Sequence, residues 1–160
     1  MKTIVLGLDL AEKLGLSVIE ADSGRLIFSL SRRLSRGDPQ ERLLNLRKLL
    51  LEAIKRYQPQ EMAIEDVFLP AKTSRKTPIS LGELRGVARL CAAEHGIPVF
   101  FYAARQVKQA ITGFGNASKE DVTRWIESEF NVKVKDDNEA DAISIAWTHI
   151  LMRRFAILQK

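Results

Sequence analysis

The segment from Pro39 to Phe68 constrains the fold more than any other. Leu43, Leu46, Leu50, Ile54 and Tyr57 recur at the spacing of one helical face, in a helix that Pro39 opens and that ends before Pro59. A strand-like run, Glu61 to Phe68, follows at once. Near the start of the chain, Thr3 to Asp9 is an apolar run rich in β-branched residues, the composition of a strand buried on both faces. A strand, a long helical crossover and a second strand lay the two strands parallel, side by side in one sheet. The acids Asp9 and Glu65 then emerge at the same edge of that sheet, and Asp66 faces the other way.

The remaining elements follow in order. Ala11 to Gly15 reads as a turn, and Leu16 to Ala21 and Leu26 to Leu30 as strands joined at Asp22-Ser23-Gly24, so the chain opens with an antiparallel meander. Pro70 to Thr77 is basic and lacks periodicity, which predicts a loop beside the acidic edge. Ser80 and Glu83 have the spacing of a capping box for a helix carrying Leu84, Ala88 and Cys91 on one face, stopped by Gly96-Ile97-Pro98. Val99 to Tyr102 is a fifth strand, Ala103 to Thr112 a helix, and Ser118 with Asp121 opens another. A last helix begins at about Asn138, with Ala142, Ile145, Ala146, His149 and Ile150 along one side. The expected architecture is α/β, a mixed five-stranded sheet flanked by helices, in a single domain spanning residues 1–160.

Composition narrows the chemistry. With 160 residues, 46% of them hydrophobic, the chain has enough apolar surface for one core and too little length for two comfortable domains. The single cysteine, Cys91, excludes an internal disulfide, and the two histidines have no ligand spacing, which argues against a structural zinc site. No stretch has the length of a membrane span or the form of a signal peptide, so a cytoplasmic protein without membrane contact is expected. A net charge of +5 favours polyanionic partners without selecting one.

Against that background the carboxylates stand out. An acid at the end of a buried strand is held rigidly and loses part of its hydration, which suits a metal ion. Asp9 and Glu65 have this placement, and Asp141 lies in the first turn of the last helix. Two-metal phosphodiester chemistry draws acidic ligands from separate rigid elements in this way. Asp9 could instead simply begin a turn. Asn138 and Asp141 have the spacing of a helix cap and its partner, which needs no metal. The residues alone reach an acidic metal site on a mixed sheet in a basic protein.

Gly7-Leu8-Asp9, Ala63-Ile64-Glu65-Asp66-Val67-Phe68, Leu81 to Ala88, Tyr102 to Gln109 and Ala140-Asp141-Ala142-Ile143 occur in the order and spacing of the RuvC Holliday junction resolvases, and the chain resembles that family over nearly its whole length. The resemblance implies a ribonuclease H-like fold, a homodimer, and symmetric nicking of four-way DNA junctions with Mg²⁺, two ions per site and Mn²⁺ as substitute. It places Asp9, Glu65 and Asp141 as metal-binding acids, with Lys108 and Lys119 near the scissile phosphate. Phe68 corresponds to the aromatic that inserts at the crossover. Lys72, Arg75, Lys76 and Arg105 are the expected DNA contacts, and a branch-migration complex is an expected partner.

Two positions depart from the family pattern. Asn138 stands where the family usually has an acid or a histidine, as a neutral candidate ligand, and Leu10-Ala11 replaces the common Pro-Gly. Asn138 keeps open a junction-binding protein without catalysis, and a related ribonuclease H-like nuclease acting on other branched nucleic acids is a third reading. The helix Ser80 to Glu94 is the candidate dimer interface, with Leu84 and Ala88 as positions where a charge would break it.

Overall fold

The structure, a computed structural model, describes residues 2–66 and 76–159, and at residues 76 and 77 the backbone only. Five strands form one sheet in the order β3-β2-β1-β4-β5. β1 (Ile4–Asp9), β2 (Lys13–Glu20) and β3 (Arg25–Arg33) make the antiparallel meander; β4 (Glu61–Asp66) pairs parallel with β1, and β5 (Val99–Ala103) parallel with β4. The crossover is α1 (Pro39–Tyr57), with Asp38 capping its first amides, Pro39 in its first turn, and Gln58 closing it in the left-handed conformation.

Period-two alternation then sorts the sheet onto two cores. Leu6, Leu8, Met62 and Ile64 point to one face, where Leu46 and Leu50 of α1 and Leu84, Ala88 and Cys91 of α2 (Lys76–Glu94) bury them. Val5 and Ala63 point to the other, beneath α5 (Asp137–Leu158), together with Ile143, Ala146 and Ile150. α3 (Ala104–Thr112) and α4 (Lys119–Phe130) complete that layer through Val107, Ile111, Val122 and Ile126. Asp9 and Glu65 share the second face because each is an even number of residues from Val5 and Ala63 respectively.

Glycine determines how closely α5 approaches. A Cβ on Gly7 would sit 2.4 Å from the Ala142 carbonyl oxygen, and one on Gly15 would sit 1.9 Å from the Asn138 carbonyl oxygen. Gly15 is the residue paired with Asp9 across β1 and β2, so the helix rests on bare backbone beside the acid. The Ser17 hydroxyl, buried beneath the helix, donates to the Ala142 carbonyl at 2.7 Å.

Four expectations need correction. Lys13 and Leu14 belong to β2, not a turn, because β3 runs on to Arg33 and supplies partners as far as Lys13↔Arg33; the irregularity between Val18 and Ile19 lets β3 begin at Arg25. Ser80 caps nothing: α2 has begun by Lys76, and the Ser80 hydroxyl accepts from Arg42 at 2.6 Å. Asn138 is not the cap of the last helix. Asp136 is, accepting from the Glu139 amide at 3.1 Å. Leu84 and Ala88 are 1% and 0% exposed inside the core, so a charge there would unfold the chain before it tested an interface. Among the described residues no helix is long and apolar enough to cross a membrane.

Candidate active site

The register that joins β1 to β4 ends at Leu8↔Ile64. One residue further along each strand stand Asp9 and Glu65. Asp66, on the opposite face, is exposed and accepts from Arg85 at 2.9 Å, so it takes no part. The glycine seat places the first turns of α5 against this edge. The Asn138 amide donates to Asp9 Oδ2 at 3.0 Å, and Asp141 faces a cleft of about 180 Å³ lined also by Glu65, Lys108 and Lys119. With the cap assigned to Asp136, Asp141 has no role in terminating the helix. Among the described residues, neither Glu65 nor Asp141 has a side-chain hydrogen bond or a cation within salt-bridge distance.

The electrostatics follow from burial without pairing. Burial pushes the Asp9 carboxyl up to about 6; the Asn138 hydrogen bond opposes this, and the charge of Asp141 adds to it. Burial also pushes Glu65 up, to about 7, reinforced by Asp9 and Asp141. Asp141 is raised by burial against the pull of Lys119 and Lys108. Charged together, the three acids repel one another in a partly dehydrated edge, and two lysines only soften that repulsion. Lys119 also lies 3.7 Å from Asp137.

This donor set fits a hard divalent cation. It consists of carboxylate oxygens on rigid elements, with an amide beside them, and it holds more negative charge than the protein neutralises. Among the described residues no three acidic, histidine or cysteine side chains make a ready cage for a single ion. An open, acid-lined edge suits ions that complete their shell with water and substrate phosphate. Two nearby acids, Glu139 and Asp136, do not join the set: Glu139 is 9% exposed and accepts from Ser29 and from the Lys135 amide at 2.6 Å each, turned toward β3. Asp136 accepts from Lys13, Ser31 and the Glu139 amide, which outweigh its burial and hold it at about 2.

Phe68, Lys72 and Arg75 lie outside the described residues, as does the side chain of Lys76. Arg105 is on α3, its aliphatic stem against Gly115. The sequence reading missed Gly7 and Gly15 as determinants of the site. Their signal was two glycines inside strands, where glycine weakens pairing unless another backbone needs the space.

A mixed sheet of this order, with helices on both faces, is the architecture of the ribonuclease H-like nucleases. Comparison with known proteins narrows the class. The family model described as crossover junction endodeoxyribonuclease RuvC matches residues 5–149. A protein of that name from Moorella thermoacetica is 36% identical over 152 residues, covering 91% of this chain and 90% of the relative. The Thermus thermophilus RuvC structure superposes with a TM-score of 0.85 at 28% identity, covering 96% of this chain and 97% of that one. The structure of T. thermophilus RuvC in complex with a Holliday junction substrate gives 0.81 at 28% identity, covering 96% of each chain. The chain belongs to the RuvC family of crossover junction endodeoxyribonucleases.

Proposed function

We propose that this protein is a metal-dependent endonuclease that resolves four-way DNA junctions by paired nicks during recombination and repair, and that residues 1–160 form a single nuclease domain acting in the cytoplasm. The observation that carries this is the convergence of Asp9, Glu65 and Asp141, from β1, β4 and α5, on one dehydrated edge with no cation within salt-bridge distance among the described residues. Asp9, Glu65 and Asp141 would hold Mg²⁺, two ions per site, with Mn²⁺ able to replace it and Asn138 as a neutral fourth donor. Bound there, the metal would activate water and neutralise charge on the leaving oxygen.

The chain's own residues do the rest. Lys108 and Lys119 border the cleft from α3 and α4, where a fixed positive charge favours the charge that builds on the phosphate in the transition state. Arg105, Lys72, Arg75 and Lys76 would contact backbone phosphates, which position the junction without reading sequence. Phe68 would stack on an unpaired base at the crossover. A branch-migration complex would be the source of the substrate.

Symmetric nicking needs two copies of the site related by a two-fold axis, hence a homodimer. The outward side of α2 supports this: Ile79 and Leu90 are 62% and 58% exposed, and Cβ atoms on Gly82 and Gly86 would meet nothing within 4 Å. Leu90→Asp is expected to sediment as a folded monomer that no longer makes paired cuts. Paired cutting by a monomer would remove the dimer from the mechanism.

Asn138 does not favour binding without catalysis, because it spends its amide on orienting Asp9 while three carboxylates remain. Nicking of a labelled synthetic four-way junction in Mg²⁺ and in Mn²⁺, compared with Asn138→Asp, tests the reading. Cutting by the chain as it stands, abolished in Asp9→Asn, is expected. Tight binding without cutting, restored by Asn138→Asp, would make this a disabled member. Competition by linear duplex equal to that by junctions would point to another branched substrate.

A further inference from the structure

Phe114 presents an aromatic ring to water from a turn that is fixed on every side. The ring is 69% exposed. The turn joins α3 to α4. Gly113 closes α3 at φ +85, its amide donating to the Gln109 carbonyl at 2.9 Å. The Phe114 amide donates to the Thr112 hydroxyl at 3.2 Å, and the Phe114 carbonyl accepts from that hydroxyl at 3.1 Å and from the Ala117 amide at 3.2 Å. Gly115 is needed because a Cβ there would lie 2.8 Å from the Arg105 side chain. Ser118 and Asp121 then close a reciprocal cap on α4. Such a turn confines the ring without burying it, and so gains no hydrophobic stabilisation from it.

The location of the turn suggests what covers the ring. α3 carries Lys108 and α4 carries Lys119, and both border the cleft that holds Glu65 and Asp141. Phe114 lies between these lysines in the chain, in the turn that joins their two helices. Beside the ring is a recess of about 440 Å³ whose walls include Thr112, Asn116, Trp125 and the ion pair of Arg124 with Asp121. The Arg105 side chain packs against Gly115, the residue after Phe114. An exposed ring on the turn between the two helices that bring Lys108 and Lys119 to the cleft, with Arg105 packed against the next residue, complements a polyanion that also offers apolar surface, which describes the sugars and base edges of a nucleic-acid groove better than a hydrophobic protein partner.

We propose that Phe114 is a second aromatic DNA contact, pressing into the minor groove of the duplex arm that flanks the scissile phosphate. This rests on the resolvase reading and names a contact that reading does not require. The ring holds the arm so that the strand to be cut stays at the acids, while Arg105 and the lysines supply the salt-dependent part of affinity.

The test is fluorescence anisotropy with the full-length protein and a labelled four-way junction in Ca²⁺, over a series of salt concentrations. Phe114→Ala is expected to weaken binding about tenfold at every salt concentration. The slope of log affinity against log salt should not change, because no phosphate contact is lost. Phe114→Trp should retain binding, and the melting temperature of Phe114→Ala should equal that of the parent, since the ring is exposed. A 2-aminopurine in the flanking arm should brighten with the parent protein and not with Phe114→Ala. Affinity within twofold of the parent together with an unchanged 2-aminopurine signal would overturn the proposal and leave the resolvase reading intact. A parent protein that binds junction no better than linear duplex would instead remove that reading itself.

Discussion

β4 carries two glutamates on the same face, and their surroundings differ. Glu61, at its amino end, accepts from His149 Nε2 at 2.6 Å and from Arg153 Nε at 3.1 Å. With Nε2 donating, His149 Nδ1 is left to accept from the buried Tyr102 hydroxyl at 2.6 Å. Burial lowers the His149 pKa, against the pull of Glu61, so the ring stays neutral and the chain of bonds is complete. Glu65, four residues on, faces Asp9 and Asp141 and is pushed up to about 7. The difference separates two uses of a buried carboxylate. Where the fold supplies every partner, the acid ties α5 to the sheet; where it supplies more acids and, among the described residues, no cation within salt-bridge distance, the edge is left for a ligand.

Breaking the acidic end should give the largest effect. Asp9→Asn or Glu65→Gln is expected to cut nicking by about 10³-fold or more while junction binding persists, since metal-assisted charge stabilisation is worth several kcal/mol. The same substitutions should raise the melting temperature in EDTA. The pH dependence follows from the direction of the shifts. Asp9 and Glu65 have folded-state pKa values of about 6 and about 7, above their ordinary values, so their contribution to stability is fully present below about pH 4 and is lost as pH rises toward 7. The metal-free protein should therefore lose melting temperature over that interval, and Mg²⁺ should restore it at the upper end. A melting temperature indifferent to both pH and Mg²⁺ would contradict the site.

A smaller loss is expected at the seat. Gly15→Ala would drive a methyl into the Asn138 carbonyl and lift the first turn of α5 from Asp9. Misplacement of this kind costs on the order of 10²-fold in rate, with about 1–3 kcal/mol of stability lost to overpacking. Single-turnover nicking and a urea titration would measure both. The smallest catalytic effect belongs to Glu61→Gln, which should cost about 1–3 kcal/mol of stability by leaving its partners imperfectly paired. In saturating metal it should leave nicking within about threefold; a loss as large as that of Glu65→Gln would erase the distinction between the two ends.

Asp9 and Glu65 were legible in the sequence because strand patterns repeat every two residues and a helical crossover makes its flanking strands parallel. Asp141 was not legible from the residues alone. Asp136, Asp137 and Asn138 are three successive residues able to cap a helix, and only the bond from Asp136 to the Glu139 amide shows which one does; the family resemblance was needed to single out Asp141. The β2 boundary was misread because Gly15 reads as a turn residue, although its strand continues to Lys13 and its missing side chain makes room for α5. The Glu61–His149–Tyr102 chain could not be read at all, since it joins β4, β5 and α5 through side chains far apart in sequence.

The seat of α5 on Gly7 and Gly15 also bears on the order in which the protein becomes dangerous to DNA. Asp9 is synthesised long before Asp141, and Asp141 reaches the acidic edge only when its helix docks on those glycines. A chain still on the ribosome therefore cannot close its acidic edge until α5 has emerged. The site's two halves meet only at that docking step, so nuclease activity waits on it.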